Sequence, residues 1–483
     1  MAETKQRSVG AILTVLVIST MVMILNETTL SIALSTIMAD FNVTADVVQW
    51  LTTGFMLTMA IVIPTTGFLI QRFKTRHIYF VAMALFIIGS LMGALAPTFG
   101  VLLAARVIQA CGTAIITPLL MTVTLTIVPP ERRCAMMGIN SIVISVAPAL
   151  GPTIAGLILN FFTWHYLFWL MVPIAVICLV IGIFLLQNVG ENSAIPFDVF
   201  SVILSALAFG GIVYGFSTIG QLISGTSSAP MIALLAGIVF LAIFVYRQIV
   251  LGKRGRALLD MSAFSVRNFT FSVITVFCAM AMMLGTVNVL PIYLQSALMV
   301  TPLLVGLLLL PGGLLQGIVS PFIGRIYDNV GPRPLAVPGA ILMAGSQWWL
   351  YFMISDDTSL WLIITAHVIF NIGMALVMTP LMTVSLSSLP MNLYSHGSAI
   401  MNTLQQLGGA AGTAIMIAAM SIGAARASSA GMAASAAQAA GTQEAFLAGG
   451  ILGIVAIAAS FFVTALDKAP KTVSESAPEH VAA

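Results

Sequence analysis

Apolar residues run almost unbroken from Val9 to Leu466, in stretches of about 20 separated by short polar or charged breaks. Each stretch is long enough, as a helix, to cross a bilayer core of about 30 Å. The pattern predicts fourteen spans, centred near residues 23, 59, 87, 109, 149, 176, 208, 238, 281, 313, 345, 373, 410 and 456. Between the sixth and ninth spans the hydropathy breaks are weak, because the 198–220 run carries four glycines. Charge resolves them. With the N-terminus inside, Lys5 and Arg7, Arg72, Lys74 and Arg76, Arg132 and Arg133, Arg247, Lys253, Arg254, Arg256 and Arg267, Arg325 and Arg333, and Lys468 and Lys471 all fall on inner segments. Only Arg426 falls outside and Arg106 within a span, while outer loops hold Asp40, Asp46, Asp356 and Asp357.

Composition supports a bilayer as the solvent: 60% of residues are hydrophobic and 7% charged, against about a quarter charged in a soluble domain. The net charge of +3 follows from the topology and gives no reason to expect a nucleic-acid partner. The four cysteines, Cys111, Cys134, Cys178 and Cys278, are too scattered for a disulfide framework or a metal site and read as packing residues. The first apolar segment is too long for a signal peptide and reads as a retained helix. The basic run KRGRALLD, Lys253 to Asp260, reads as a solvated inner loop rather than a contact for anionic lipid heads, and the Ala/Ser/Gly-rich 421–443 segment as a partly helical outer connection.

The chain repeats itself. ARVIQACGTAIITPLLMTVTLTIVPP from Ala105 and AHVIFNIGMALVMTPLMTVSLSSLP from Ala366 share a polar residue (Arg106, His367), a glycine six positions on (Gly112, Gly373) and a TPL run. GFLIQRFKTR at Gly67 and GRIYDNVGPR at Gly324 both close a span and enter a basic inner loop, at nearly the same offset. Two homologous six-helix bundles related by an axis along the membrane normal would give this pattern, with two further helices between them. The domains expected are therefore 1–190, a six-helix bundle; 191–268, two inserted helices and a basic cytoplasmic linker; 269–467, a second six-helix bundle; and 468–483, a cytoplasmic tail.

Glu27 is the acidic residue placed well inside a span, and a buried carboxylate costs about 2.5 kcal/mol or more unless it faces a cavity. Ser31 and Ser35 follow it at helical spacing, a polar stripe suited to a cavity wall. Arg106 lies about 10 Å below the outer face and Glu27 about 15 Å, so the two can meet. Such a pair can exchange a proton and a counter-charge between two exposures; the alternatives are a structural carboxyl and a static arginine brace. No GxxxxGK[ST] loop or soluble ATPase domain is present, which favours a proton as the coupling ion, with no other cofactor or metal.

Six stretches in order resemble the fourteen-span drug:proton antiporters of the major facilitator superfamily. LNETTLSIALS at Leu25 is similar to that family's first-helix motif, QWLTTGFML at Gln49 to its second helix, LAARVIQACGTA at Leu103 to its fourth-helix arginine motif and APALGPTIAG at Ala147 to its fifth-helix antiporter motif; LPIYLQ at Leu290 and LQQLGGAAGTA at Leu404 also fit. The N-E-T variant resembles the lincomycin-resistance branch. The resemblance implies an all-α membrane protein of the major facilitator fold, two six-helix bundles plus two additional transmembrane helices, that exports amphipathic drugs against protons by alternating access. Glu27 and Arg106 would then couple the proton. Gly67, Gln71, Arg72, Gly324, Asp328 and Gly331 would gate the inner side, and Pro148, Gly151, Pro152 and Gly156 would shape the antiporter bend. The first-half loop departs from the family, with Gln71 and Lys74 where an Asp and a Gly are usual, whereas Asp328 and Gly331 keep the pattern in the second half. The usual first-helix Asp is Asn26 here, with Glu27 turned about 100° from it.

Polar positions in spans, Asn26, Gln109, Asn140, Asn288, Gln295, His367, Asn371, Asn402, Gln405 and Gln406, are candidates to orient a ligand, and Trp50, Phe55, Tyr214 and Tyr293 to stack on it. A small amphipathic cargo and the lipid bilayer are the partners expected, for a monomer in a bacterial cytoplasmic membrane with both termini inside. Export of a native lipid or cell-envelope precursor would use the same fold. A transport-inactive scaffold or sensor is the alternative from another class.

Overall fold

The computed structural model describes residues 2–464 except 44, 49, 130–131, 187, 189–197, 220–221, 223–224, 226 and 255. At 2–9, 31–32, 35, 45–46, 141–145, 148–149, 152 and 302–303 it describes the backbone alone. The expected tail, 468–483, and the Ser31 and Ser35 side chains therefore lie outside the described residues.

Among the described residues there are fourteen helices of 19 or more residues. They are α1 (Ala2–Asp40), α2 (Trp50–Arg72), α3 (Thr75–Ala94), α4 (Phe99–Ile127), α5 (Arg133–Phe161), α6 (His165–Leu185), α7 (Val199–Ser217), α8 (Ala229–Gly252), α9 (Arg267–Ser296), α10 (Pro302–Val330), α11 (Arg333–Met353), α12 (Leu360–Ser387), α13 (Tyr394–Ser429) and α14 (Ala434–Ser460). Twelve segments are long and apolar enough to cross a membrane; α5 and α11 are not among them. Prolines sit inside α2, α4, α6, α9, α10, α11 and α12. Hydroxyls fold back onto the carbonyl a turn earlier, as Ser19 does on Val15 and Thr124 on Leu120. Each proline frees a carbonyl of its helix bond, and hydroxyls of this kind can satisfy carbonyls where water is absent.

Packing repeats with a shift of eight helices. Helix α1 packs on α4, α5 and α6, α2 on α4, and α3 on α4 and α6; α9 packs on α12, α13 and α14, α10 on α12, and α11 on α12 and α14. The glycines of the sequence repeat carry equivalent contacts. A Cβ on Gly112 would strike Ala82 O of α3, and one on Gly373 would strike Gly339 O of α11, at 2.5 and 2.7 Å. Gly151 of α5 seats Thr28 of α1 as Gly412 of α13 seats Ala281 of α9. The duplicated sequence is thus a duplicated bundle.

The bundles meet through exchanged pairs, α2 with α13 and α10 with α5. One apolar core joins them beside the basic loops, where Phe68, Leu125 and Met137 share a cluster with Leu393, Tyr394 and Ala399. Away from those loops the cores separate, into Leu30, Leu51, Leu102 and Phe168 in one half and Leu294, Leu350, Ile363 and Phe446 in the other. The halves are closed together on the basic side, and each has its own apolar core opposite. Helix α7 lies against α8, α2 and α13, so the inserted pair covers one flank of the junction.

Two connecting segments carry more structure than their hydropathy suggests. The 421–443 segment is helix on both sides of a short turn at 430–433: Arg426 closes the last turn of α13, and Glu444 sits on α14 with its stem against Gly423. The weak hydropathy of this Ala/Ser-rich stretch hid helices that small residues let pack closely. KRGRALLD is not a solvated loop throughout, since Leu258 and Leu259 are each 1% exposed.

Candidate functional site

Glu27 occupies the middle of α1 and is half-buried. Among the described residues no donor hydrogen-bonds its carboxylate, and it forms no ion pair within 4.0 Å. Next to it Thr28 touches Gly151, so the glycine brings α5 directly onto α1 beside the carboxylate. Of the other residues expected to shape this bend, Gly156 is exposed with open space around it, and the Pro148 and Pro152 side chains lie outside the described residues.

Arg106 is 1% exposed on α4, within electrostatic reach of Glu27 but not paired with it. In this arrangement other groups hold the guanidinium. Its Nε donates to Leu51 O at 3.4 Å, its Nη1 donates to Gln109 Oε1 at 3.1 Å, and its Cζ lies 4.2 Å from the centroid of the Phe55 ring. Gln109 in turn donates to Ser90 Oγ at 2.9 Å. Three helices, α2, α3 and α4, thus orient one cation toward the junction through planar guanidinium contacts that a lysine would not reproduce. Ser90 was invisible as a partner in the sequence, although Gln109, three residues from Arg106 on the same helix face, signals that the arginine is oriented.

The remaining ligand candidates make the following contacts. Asn26 is 2% exposed and its Nδ2 has no partner. Asn140 donates to Thr124 Oγ1 at 3.1 Å and joins α5 to α4. His367 and Asn371 form a pair on α12, Asn371 Nδ2 lying 3.2 Å from His367 Nε2, and Gly312 of α10 leaves the space they fill. Asn402 donates to Met121 Sδ and Gln406 to Met59 Sδ, both across the junction, while Gln405 donates to Met382 Sδ within its own half. Tyr214 packs its ring 5.8 Å from Trp50, joining α7 to α2. Tyr293 is fully buried and donates to Ser355 O at 2.5 Å, a brace at the C-terminal end of α9. Asn288 and Gln295 are exposed on α9, Asn288 donating to Leu284 O of its own helix. A cleft of 540 Å³ lined by Thr36, Asp40, Phe162, Trp164 and His165 lies at the far ends of α1 and α5, away from Glu27 and Arg106.

On the closed side Gly67, Gln71 and Gly324, of the six expected gating residues, stand at the crossings between halves. A Cβ on Gly67 would come within 3.3 Å of Ala399, and one on Gly324 within 2.5 Å of Cys134 O. Gln71 Nε2 donates to Asn392 O at 3.0 Å, so the residue that breaks the family motif still makes a bond across the junction. Arg133 donates to Tyr394 OH at 3.1 Å, and its guanidinium lies 5.5 Å from the centre of that ring. Arg72 lies over Phe68 and Phe73. Asp328 is half-buried and forms no ion pair within 4.0 Å among the described residues. Gly331 ends α10 with φ of 82°, a left-handed conformation that glycine adopts without strain, and donates to Tyr327 O at 2.8 Å.

The family model for the Major Facilitator Superfamily matches residues 16–413. The chain is 39% identical to the lincomycin resistance protein LmrB of Bacillus subtilis, over 95% of this chain and 97% of that one. It is 41% identical to the protein of the same name from Listeria monocytogenes, over 91% of this chain and 93% of that one. Among solved structures, a double-tryptophan variant of XylE superposes with a TM-score of 0.68 at 13% identity, over 95% of this chain and 96% of that one.

Proposed function

The chain belongs to the major facilitator superfamily, and we propose that it exports amphipathic small molecules, lincosamide-like compounds among them, in exchange for protons. The observation that carries this reading is the Glu27 carboxylate, unpaired among the described residues in the middle of a membrane-length helix, with a buried, oriented Arg106 within electrostatic reach. A carboxylate with no fixed partner is free to hold a proton in one state and to meet the arginine or a cationic or neutral cargo in another. The exchanged crossings at Gly67 and Gly324 suit rocking of one bundle on the other, so that the site faces the two sides in turn. All fourteen long helices cross the bacterial cytoplasmic membrane in this reading, with the basic loops and both termini in the cytoplasm and a single chain as the working unit. The names of the relatives support the cargo class.

The test is lincomycin accumulation in bacteria stripped of their own efflux pumps. Cells carrying the protein should hold less drug than empty cells, and a protonophore should erase the difference. Equal accumulation with the folded protein in the membrane would contradict the reading for this cargo.

A further inference from the structure

The segment linking α8 to α9 does not behave as a linker. Leu258 and Leu259 are each 1% exposed, Ala263 is fully buried, and all three belong to the apolar core that joins the two halves beside the basic loops, together with Phe68 of α2 and Tyr394 and Ala399 of α13. A polar network at the inner ends of the inserted pair fixes the segment. Gln248 Oε1 accepts from Leu258 N at 2.8 Å and Leu259 N at 3.2 Å, and Gln248 Nε2 donates to Ser201 Oγ at 2.8 Å. Arg247 adds an ion pair to Asp198 at 2.8 Å. Asp260 then accepts from Ser262 N at 2.9 Å and starts the single turn Met261–Ser265.

The segment lies where the halves cross. His396 of α13 faces the Leu258 backbone and feels the charge of Asp260. The backbone of the same residue, at its Cα, is 3.4 Å from where a Gly67 Cβ would stand. One turn of α13 is thus pressed by α2 on one side and by the segment on the other. Opening the basic side separates α2 from α13 and exposes the apolar surface that Leu258 and Leu259 help to cover.

We propose that residues 257–263 are a latch on the cytoplasmic gate: the inserted helices α7 and α8 hold the two leucines against the α2–α13 crossing and stabilise the inward-closed state. This rests on the alternating-access reading above. The inserted pair, on this proposal, sets the ratio of the two access states rather than adding a wall to the cargo path.

The experiment is a pair of spin labels at two exposed positions across the gate, Phe73→Cys and Met391→Cys, in a protein with its four native cysteines replaced, with distances measured at pH 5.5 and pH 8. Leu258→Ser with Leu259→Ser should raise the ratio of long to short distances by about tenfold or more, since two buried leucines are lost from one state only. Gln248→Ala, which removes the acceptor and leaves both leucines, should shift the ratio the same way by a smaller factor and decides the matter if the double variant does not fold. If wild type shows both distances and neither folded variant moves their ratio, the latch is wrong and the alternating-access reading stands. If the long distance never appears in wild type or variants at either pH, both fall.

Discussion

The guanidinium of Arg106 lies 4.2 Å from the centroid of the Phe55 ring and is held there, unpaired with the carboxylate it was expected to meet. A cation held by a ring face, a carbonyl and an amide keeps its orientation whether or not Glu27 is charged. The Glu27 carboxylate and the fixed charge are therefore separable.

Arg106→Lys tests that orientation. A lysine keeps the charge but loses the flat contact with Phe55 and the bond that ties Arg106 to Gln109 and Ser90. Drug-driven proton exchange should fall by about tenfold or more with the protein still folded, each lost bond being worth about 1 kcal/mol. Unchanged exchange would make the planar contacts incidental.

Two glycines of α5 should respond in opposite ways. Gly151→Ala would drive a methyl into Thr28 and force α1 away from α5, costing about 1–3 kcal/mol. Gly156→Ala meets open space and should be neutral, or stabilising by up to about 1 kcal/mol through helix propensity. Melting temperatures in detergent separate the two; equal effects would deny that Gly151 seats Thr28.

The crossing glycines should also differ. Gly324→Ala meets the fixed Cys134 carbonyl at 2.5 Å, whereas Gly67→Ala meets Ala399 at 3.3 Å. Gly324→Ala should shift the population away from the inward-closed state more strongly, read as the distance between labels at Phe73→Cys and Met391→Cys.

At the inner end of the inserted pair, burial pushes the Asp198 carboxyl up, but bonds from Ser201 and Arg247 outweigh it and hold the group below the usual carboxylate range. A depressed folded value means that the stabilisation is present above the unfolded value of about 3.9 and is lost as pH falls through the folded one. Asp198→Asn should therefore lower the melting temperature at pH 7, and the gap to wild type should close as the pH is taken below about 4. A gap that persists in acid would assign the effect to something other than the charge.

The bundles and their repeat were legible in the sequence because a membrane helix declares itself by length and apolarity and because Gly112 and Gly373 do equivalent packing work. The α13–α14 connection was legible only as partly helical, because alanine and serine are weakly apolar yet pack closely in helices. Glu27 and Arg106 stood out as charges inside apolar runs. Their separation did not, since it depends on Phe55, Leu51 and Ser90, which arrive from other helices at no fixed sequence spacing. Leu258 and Leu259 were masked by the basic residues beside them.

The most direct measurement is proton movement in everted vesicles: load an acidic lumen, add lincomycin, and compare wild type with Glu27→Gln. Lumenal alkalinisation on drug addition that vanishes in the variant is the result expected if Glu27 carries the coupled proton. An equal response from both proteins would contradict it and make Glu27 a structural carboxyl.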